Sequence, residues 1–242
     1  MKVLLLAALC LSLAGKAVSE EARKSGYDFM SPQTQAMQND EVTGPAALWL
    51  LDGEASFKGN CARCHAEGSM KGVAARYPAL HRGKLVNLEQ RINACRVEQQ
   101  KAPAFAYESR ELLALASHVG RQSRGLPIRI EVNGTIREYL DRGKDSFHRR
   151  QGQLNLSCTQ CHDDNWGRKL AGSTIPQAHP TGYPIYRLEW QSVGSLHRRL
   201  RNCLTGMRAE NHALGSPELV ELELYLMWRA RGMKLETPAV RP

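Results

Sequence analysis

The chain has 242 residues, 33 lysines and arginines against 24 acidic residues, and a formal net charge of +9. That length makes one or two domains. So basic a chain ordinarily suggests nucleic acid, but features described below place it outside the cytoplasm, where a positive field favours anionic substrates or acidic protein partners.

Met1-Lys2 opens with positive charge, Val3 to Ala14 is apolar apart from Ser12, and Ala17-Val18-Ser19 ends in small residues before polar Glu20. This is the pattern of a secretory signal peptide over residues 1–19, too short for a membrane span. Cys10 follows Leu9, where a lipid-anchor signal needs a small residue, so it is expected to leave with the leader. No other apolar run approaches membrane-spanning length. Losing residues 1–19 removes Lys2 and Lys16 and no acid, which leaves a net charge near +7. Residues 20–45 are polar and read as an irregular arm, packed on the second half of the chain or on a partner.

Ala46 to Phe57 reads as a helix running toward Cys61-Ala62-Arg63-Cys64-His65. Tyr77-Pro78 follows, then the basic segment Gln90-Arg91-Ile92-Asn93-Ala94-Cys95. Ser109 is placed to cap a helix with Leu112, Leu115 and Val119 on one face. Gly120 to Asn133 reads as a connector, and the alternation Ile128-Arg129-Ile130-Glu131-Val132 predicts a short strand in it. The pattern then returns. Gly143-Lys144-Asp145-Ser146-Phe147 matches Gly53-Glu54-Ala55-Ser56-Phe57, and seven extra residues around Gln151 to Leu156 precede Cys158-Thr159-Gln160-Cys161-His162. Tyr183-Pro184, Arg199-Leu200-Arg201-Asn202-Cys203 and a closing helix complete it. That helix has Ser216 as cap, Pro217 at its first position and Leu219, Leu222 and Leu226 on one face. A repeat this long means two homologous domains rather than a solenoid.

Both cysteine strings read C-x-x-C-H, the attachment signature of a c-type haem. Two thiols three positions apart reach the two vinyl groups of one porphyrin, and the adjacent His65 or His162 ligates the iron. The expectation is a mainly α fold of two tandem class I cytochrome c-like domains with two covalent haems. Residues 46–124 hold haem 1 through Cys61 and Cys64, and residues 125–242 hold haem 2 through Cys158 and Cys161. Such attachment takes place outside the cytoplasm, in keeping with the leader.

Cys95 and Cys203 remain, each at the corresponding place of its own repeat. Three readings compete: a disulfide between the domains, two inert buried thiols, or a thiolate ligand on each iron. Met70, His81, Met207 and His212 are rival ligands, but none has a counterpart in the other repeat. Thiolate needs cations to hold it; Arg91 and Arg96 flank Cys95, and Arg198, Arg199, Arg201 and Arg208 surround Cys203. His179 and His197 are weaker candidates to approach the second haem. Trp49, Trp166, Trp190 and Trp228 read as packing residues, and His118 and His148 as surface or helix residues.

At these positions the chain resembles the SoxA family, catalytic cytochrome subunits of the periplasmic thiosulfate-oxidising system. The likeness rests on both haem strings, on the spacing of Cys95 and Cys203 behind them, and on Arg199-Leu200-Arg201-Asn202-Cys203 followed by Gly206 and Arg208-Ala209-Glu210. Some members lack the first haem; this chain keeps its residues and so resembles the dihaem type. The resemblance implies a periplasmic partnership with SoxX, a monohaem cytochrome c, in which thiosulfate is joined to a cysteine of the carrier SoxY, itself bound to SoxZ. It implies that Cys203 is the active cysteine, a ligand of haem 2 found as a persulfide. It further implies that Arg199 binds the substrate anion, with Arg208 a second candidate, and that Cys95 ligates haem 1. Two alternatives stand beside it: a dihaem electron carrier, and a thiosulfate dehydrogenase that forms tetrathionate. A dihaem peroxidase fits less well, because it needs an open iron position.

Overall fold

The computed structural model describes residues 23–66 and 68–242. The leader expected over residues 1–19, with Cys10, lies outside them. After a short 3-10 turn, Gly26–Phe29, comes α1 (Pro32–Asn39). The first repeat is α2 (Ala47–Asn60), the hairpin β1 (Ala79–His81) and β2 (Lys84–Val86), then α3 (Leu88–Glu98) and α4 (Arg110–Arg121). The second begins with α5 (Ile136–His148), the short α6 (Cys158–His162) and the hairpin β3 (Lys169–Leu170) and β4 (Ser173–Thr174). It ends with β5 (Ile185–Arg187), β6 (Ser192–Gly194), α7 (Leu196–Gly206), α8 (Pro217–Arg229) and β7 (Ala239–Arg241).

The two halves are built alike, as the repeat requires. In each, a helix before the cysteine string crosses the closing helix at a glycine. A Cβ at Gly53 would collide with the Ala114 carbonyl of α4, and one at Gly143 with the Glu221 carbonyl of α8. The repeated glycine is therefore a backbone-approach site, not a turn. In each half a hairpin precedes the helix that bears the lone cysteine: Ala79 pairs Val86 in one, Ile185 pairs Gly194 in the other. Side-chain caps start these helices. Asn87 and Gln90 form a capping box on α3, and Ser195 Oγ accepts from Arg198 N at 3.1 Å on α7. Ser109 and Ser216 cap α4 and α8 as expected.

Each half has its own apolar centre beside its cysteine string. Phe57, Leu88, Leu115 and Val119 pack with Cys61; Ile136, Leu140, Phe147, Leu222, Leu224, Tyr225 and Leu226 pack with Cys158. Fully burying a side chain such as Phe147 or Leu115 contributes about 2–3 kcal/mol.

Two local expectations change. The arm is not irregular: Ser31 caps α1 with Pro32 at its first turn, the same Ser-Pro signal as in α8. The arm packs on the second half, where Gln38 Oε1 accepts from Val240 N at 3.2 Å and from Arg241. Residues 128–132 form no strand. Ile128 N bonds the Met233 carbonyl and Arg129 N the Ala75 carbonyl, so the segment is an extended strut between the halves. Its alternation reflects burial of Ile128 on one side only. Among the described residues, no helix is long and apolar enough to cross a membrane.

Candidate functional site

Each half has a cavity beside its cysteine string. The first, of about 620 Å³, is lined by Cys61, His65, Met70, Tyr77, Arg91 and Cys95, among others. The second, of about 360 Å³, includes His162, Tyr183, Arg187, Arg199, Leu200 and Cys203 in its wall. A polar cavity of about 450 Å³ shares His162 and His179 with it. These are the dimensions of cofactor sites. Cys95 and Cys203 are free thiols in different cavities, which removes the disulfide reading.

In the second half, α6 carries Cys158, Cys161 and His162 on one turn and a half. His162 Nδ1 bonds the Pro176 carbonyl at 2.6 Å, which fixes Nδ1 as the protonated nitrogen and leaves Nε2 free to ligate. Burial lowers the His162 pKa, and the Pro176 bond opposes that only in part. The ring is thus neutral, as a metal ligand must be. Burial, and then the neighbouring Cys203, push the Cys158 thiol up to about 12. Cys161 is raised for the same two reasons, in the same order. A thiol so raised is a poor free nucleophile, and thioether formation removes its proton altogether. The first half repeats this: burial, then Cys95, raise Cys61.

Arg199 and Cys203 lie four residues apart on α7 and share the cavity wall. Burial disfavours the Arg199 charge, but Cys203, then Tyr183 and Glu189, outweigh it and raise its pKa. Arg187 sits on β5, only 8% exposed, and its pKa is lowered by burial and then by Arg199. Glu189 Oε1, 2.9 Å from Arg187 Nε, offsets part of that repulsion. Burial, eased by Arg199 and Arg187, raises the Tyr183 hydroxyl to about 12. Sequence reasoning missed Arg187 and Arg241 as cavity residues. Arg187 was legible only through its hairpin: it pairs Ser192 at the place where His81 pairs Lys84 in the first half.

Arg208 does not join this group. It is exposed, with φ of 54°, and its carbonyl accepts from Gln153 N in the inserted loop. The loop bonds the end of α7 there, and Arg208 is not part of the cavity wall. Met207 and His212 are also absent from that wall. His81 stands 3.5 Å from Glu98 instead of entering the first cavity, whereas Met70 does line it. His179 borders the second cavity with Nδ1 held by the Lys24 carbonyl at 2.7 Å, but His197 is buried elsewhere, beside Glu223. His118 lies against Phe57 within α4. Trp228 stacks on Tyr225, Trp166 meets Phe29 edge-on, and Trp49 and Trp190 lie under Arg110 and Arg198.

Each cavity therefore offers an imidazole and a thiol to one enclosed, mainly apolar space, with two more thiols beside it. That donor set fits a c-type haem with a histidine and a thiolate as axial ligands. Among the described residues no cluster of three or more His, Cys, Asp or Glu could hold a bare metal ion.

A family model described as SoxA/TsdA, cytochrome c domain, matches residues 47–128 and 142–235. The L-cysteine S-thiosulfotransferase subunit SoxA of Pseudaminobacter salicylatoxidans is 34% identical over 229 residues, 90% of this chain and 80% of that protein. The subunit of the same name from Paracoccus pantotrophus is 31% identical over 90% of this chain and 78% of its own length. The crystal structure of SoxXA from P. pantotrophus superposes with a TM-score of 0.87 at 30% identity, covering 91% of this chain and 87% of that one.

Proposed function

The chain belongs to the SoxA/TsdA cytochrome c family, and on that premise we propose that it is the SoxA subunit of an L-cysteine S-thiosulfotransferase, joining thiosulfate to a carrier-protein cysteine with release of two electrons. The observation that carries this reading is the single cavity shared by His162, Arg199 and Cys203.

Cys61 and Cys64 would hold one haem c by thioethers, and His65 and Cys95 would ligate its iron. Cys158 and Cys161 would hold the second, with His162 and Cys203 as its ligands. When bound, haem c supplies one-electron acceptance beside the substrate sulfur. Arg199 binds the sulfonate end of thiosulfate, because its guanidinium fork matches a planar oxygen edge. Arg187 adds positive charge to the same wall. The Cys203 thiolate meets the outer sulfur. One sulfur–sulfur bond forms and none breaks; a thiolate and a dianion become a singly charged S-thiosulfonate, and two electrons leave. A carrier thiolate then attacks the outer sulfur, and Cys203 departs as thiolate.

The acceptor of the electrons is a SoxX-type cytochrome, a pairing supported by the SoxXA likeness. The carrier is a SoxYZ-type protein, and the compartment is the periplasm, reached through the leader at residues 1–19. A simple electron carrier is less well supported, since Met207 and His212 lie outside the second cavity while Cys203 and Arg199 line it.

Electron paramagnetic resonance of the oxidised holoprotein, with a haem count, tests the reading. Two haems per chain with low-spin histidine–thiolate signals are expected. Histidine–methionine or bis-histidine signals alone would return the chain to the electron carriers.

A further inference from the structure

The two halves meet over a buried group of ionisable side chains that the reaction above does not use. It is built by the repeat itself. Asn87 and Ser195 cap α3 and α7, and two residues on from each cap stand Glu89 and His197. Both are buried, Glu89 at 6% and His197 at 1% exposure. Glu223 of α8 lies between them. Its Oε2 accepts from Asn87 Nδ2 at 3.1 Å and stands 3.0 Å from His197 Nε2. Gly215 N–H donates to His197 Nδ1 at 3.1 Å, so the ring's own hydrogen is on Nε2, toward Glu223. Tyr107 stacks on His197 with centroids 5.9 Å apart and donates to Asn87 Oδ1 at 3.0 Å. Glu108 accepts from Ser195 N at 3.2 Å and stands 3.9 Å from Arg198 Nη1.

The charges that the packed elements bring to Glu89 are thus Glu223 from α8, His197 and Arg198 from α7, and Glu108 with Tyr107 from the loop before α4. Glu223 is engaged by Asn87 Nδ2 and by the nearby His197 Nε2. Arg198 serves Glu108. Glu89 is left deep in the contact facing carboxylates, where a third buried charge is costly. We propose that Glu89 carries a proton that clasps the two haem domains together, and that losing it as the medium passes from mildly acid to neutral loosens the contact at the first turns of α3 and α7.

The direction of the effect follows from linkage. Burial, then Glu223, raise Glu89 from the ordinary 4.5 to about 7. Between those values the folded chain binds a proton that the unfolded chain has released, so the Glu89 contribution to stability falls as pH rises through that window and is gone above it. Burial lowers the His197 pKa, but Glu223 outweighs it and raises that pKa, which adds a fall in the same direction that wild type and a Glu89 variant share. Because α3 and α7 carry Cys95 and Cys203 further along, the clasp bears on both cavities at once.

The test compares the dihaem holoprotein with Glu89→Gln, which keeps the shape of the neutral acid and cannot lose its proton. Wild type and variant should have the same unfolding midpoint near pH 5. By pH 8 the wild-type folding constant should have dropped by several tens-fold relative to the variant, with faster amide exchange in the first turns of α3 and α7. A wild-type infrared band of a protonated carboxyl should fade over the same range and be absent from the variant. A stability difference that does not change with pH, or no such band at pH 5, overturns the proposal. Should Glu89→Gln fail to fold, Glu223→Gln carries the test: without that neighbouring charge the protonated-carboxyl band must fade at lower pH than in wild type, and an unchanged fade overturns the clasp.

Discussion

Arg199 and Cys203 stand one helical turn apart on the same face of α7, and that face walls the cavity into which His162 projects from α6. A helix, unlike a loop, keeps such a pair in fixed register. The cap at Ser195 sets where its first turn begins.

Replacing Cys203 by Ser should abolish thiosulfate conjugation while both cysteine strings keep their haems. Haem content and activity measured on one preparation check this; retained turnover would remove Cys203 from the chemistry.

Arg199→Ala should lower kcat/KM for thiosulfate by roughly 10- to 100-fold, the loss of one charge-assisted contact of about 1.5–3 kcal/mol. Arg199→Lys keeps the charge but not the fork and should recover part of it. Arg208→Ala should change little, since that side chain is outside the cavity wall. Steady-state kinetics of the three variants decide between the two arginines.

The repeated glycines give a stability test. Gly143→Ala forces α5 off α8 at the Glu221 carbonyl, and Gly53→Ala does the same to α2 and α4. Each should cost about 1–3 kcal/mol, as overpacking does, in spite of the better helix propensity of alanine. Denaturant titration that found either variant more stable than the parent would contradict the close approach.

Gln38→Ala should free the end of the chain without unfolding it. Gln38 is buried, and its carbonyl oxygen accepts from Val240 N and Arg241. Loss of those partners should appear as faster amide exchange confined to β7 and α1, with haem content unchanged.

Much of this was legible in the residues. The two cysteine strings, the Ser109 and Ser216 caps and the matching positions of Cys95 and Cys203 carry their meaning in spacing alone, because helix geometry converts spacing into direction. What escaped depends on distant chain segments. Arg187 is a cavity residue only because β5 and α7 wall the same cavity, and its place in the hairpin is the one sequence signal of that. Arg208 read as a second candidate beside Arg199, but the contact of Gln153 with the end of α7 lies outside any periodicity. The arm looked irregular because α1 buries polar residues, Thr34 and Gln38, which a hydrophobic pattern does not detect.

The bond between Gln38 and Val240 also sets an order in time. The wall of the first cavity comes from residues 57–136. The second is walled in part by Gly26 and Phe29 and in part by Arg241 and Pro242, and β7 must align with β5 to close it. A chain that emerges from its N-terminus can therefore complete the first pocket while the second still stands open, waiting for the last strand. The cavity wall that bears Cys203 is the one completed last.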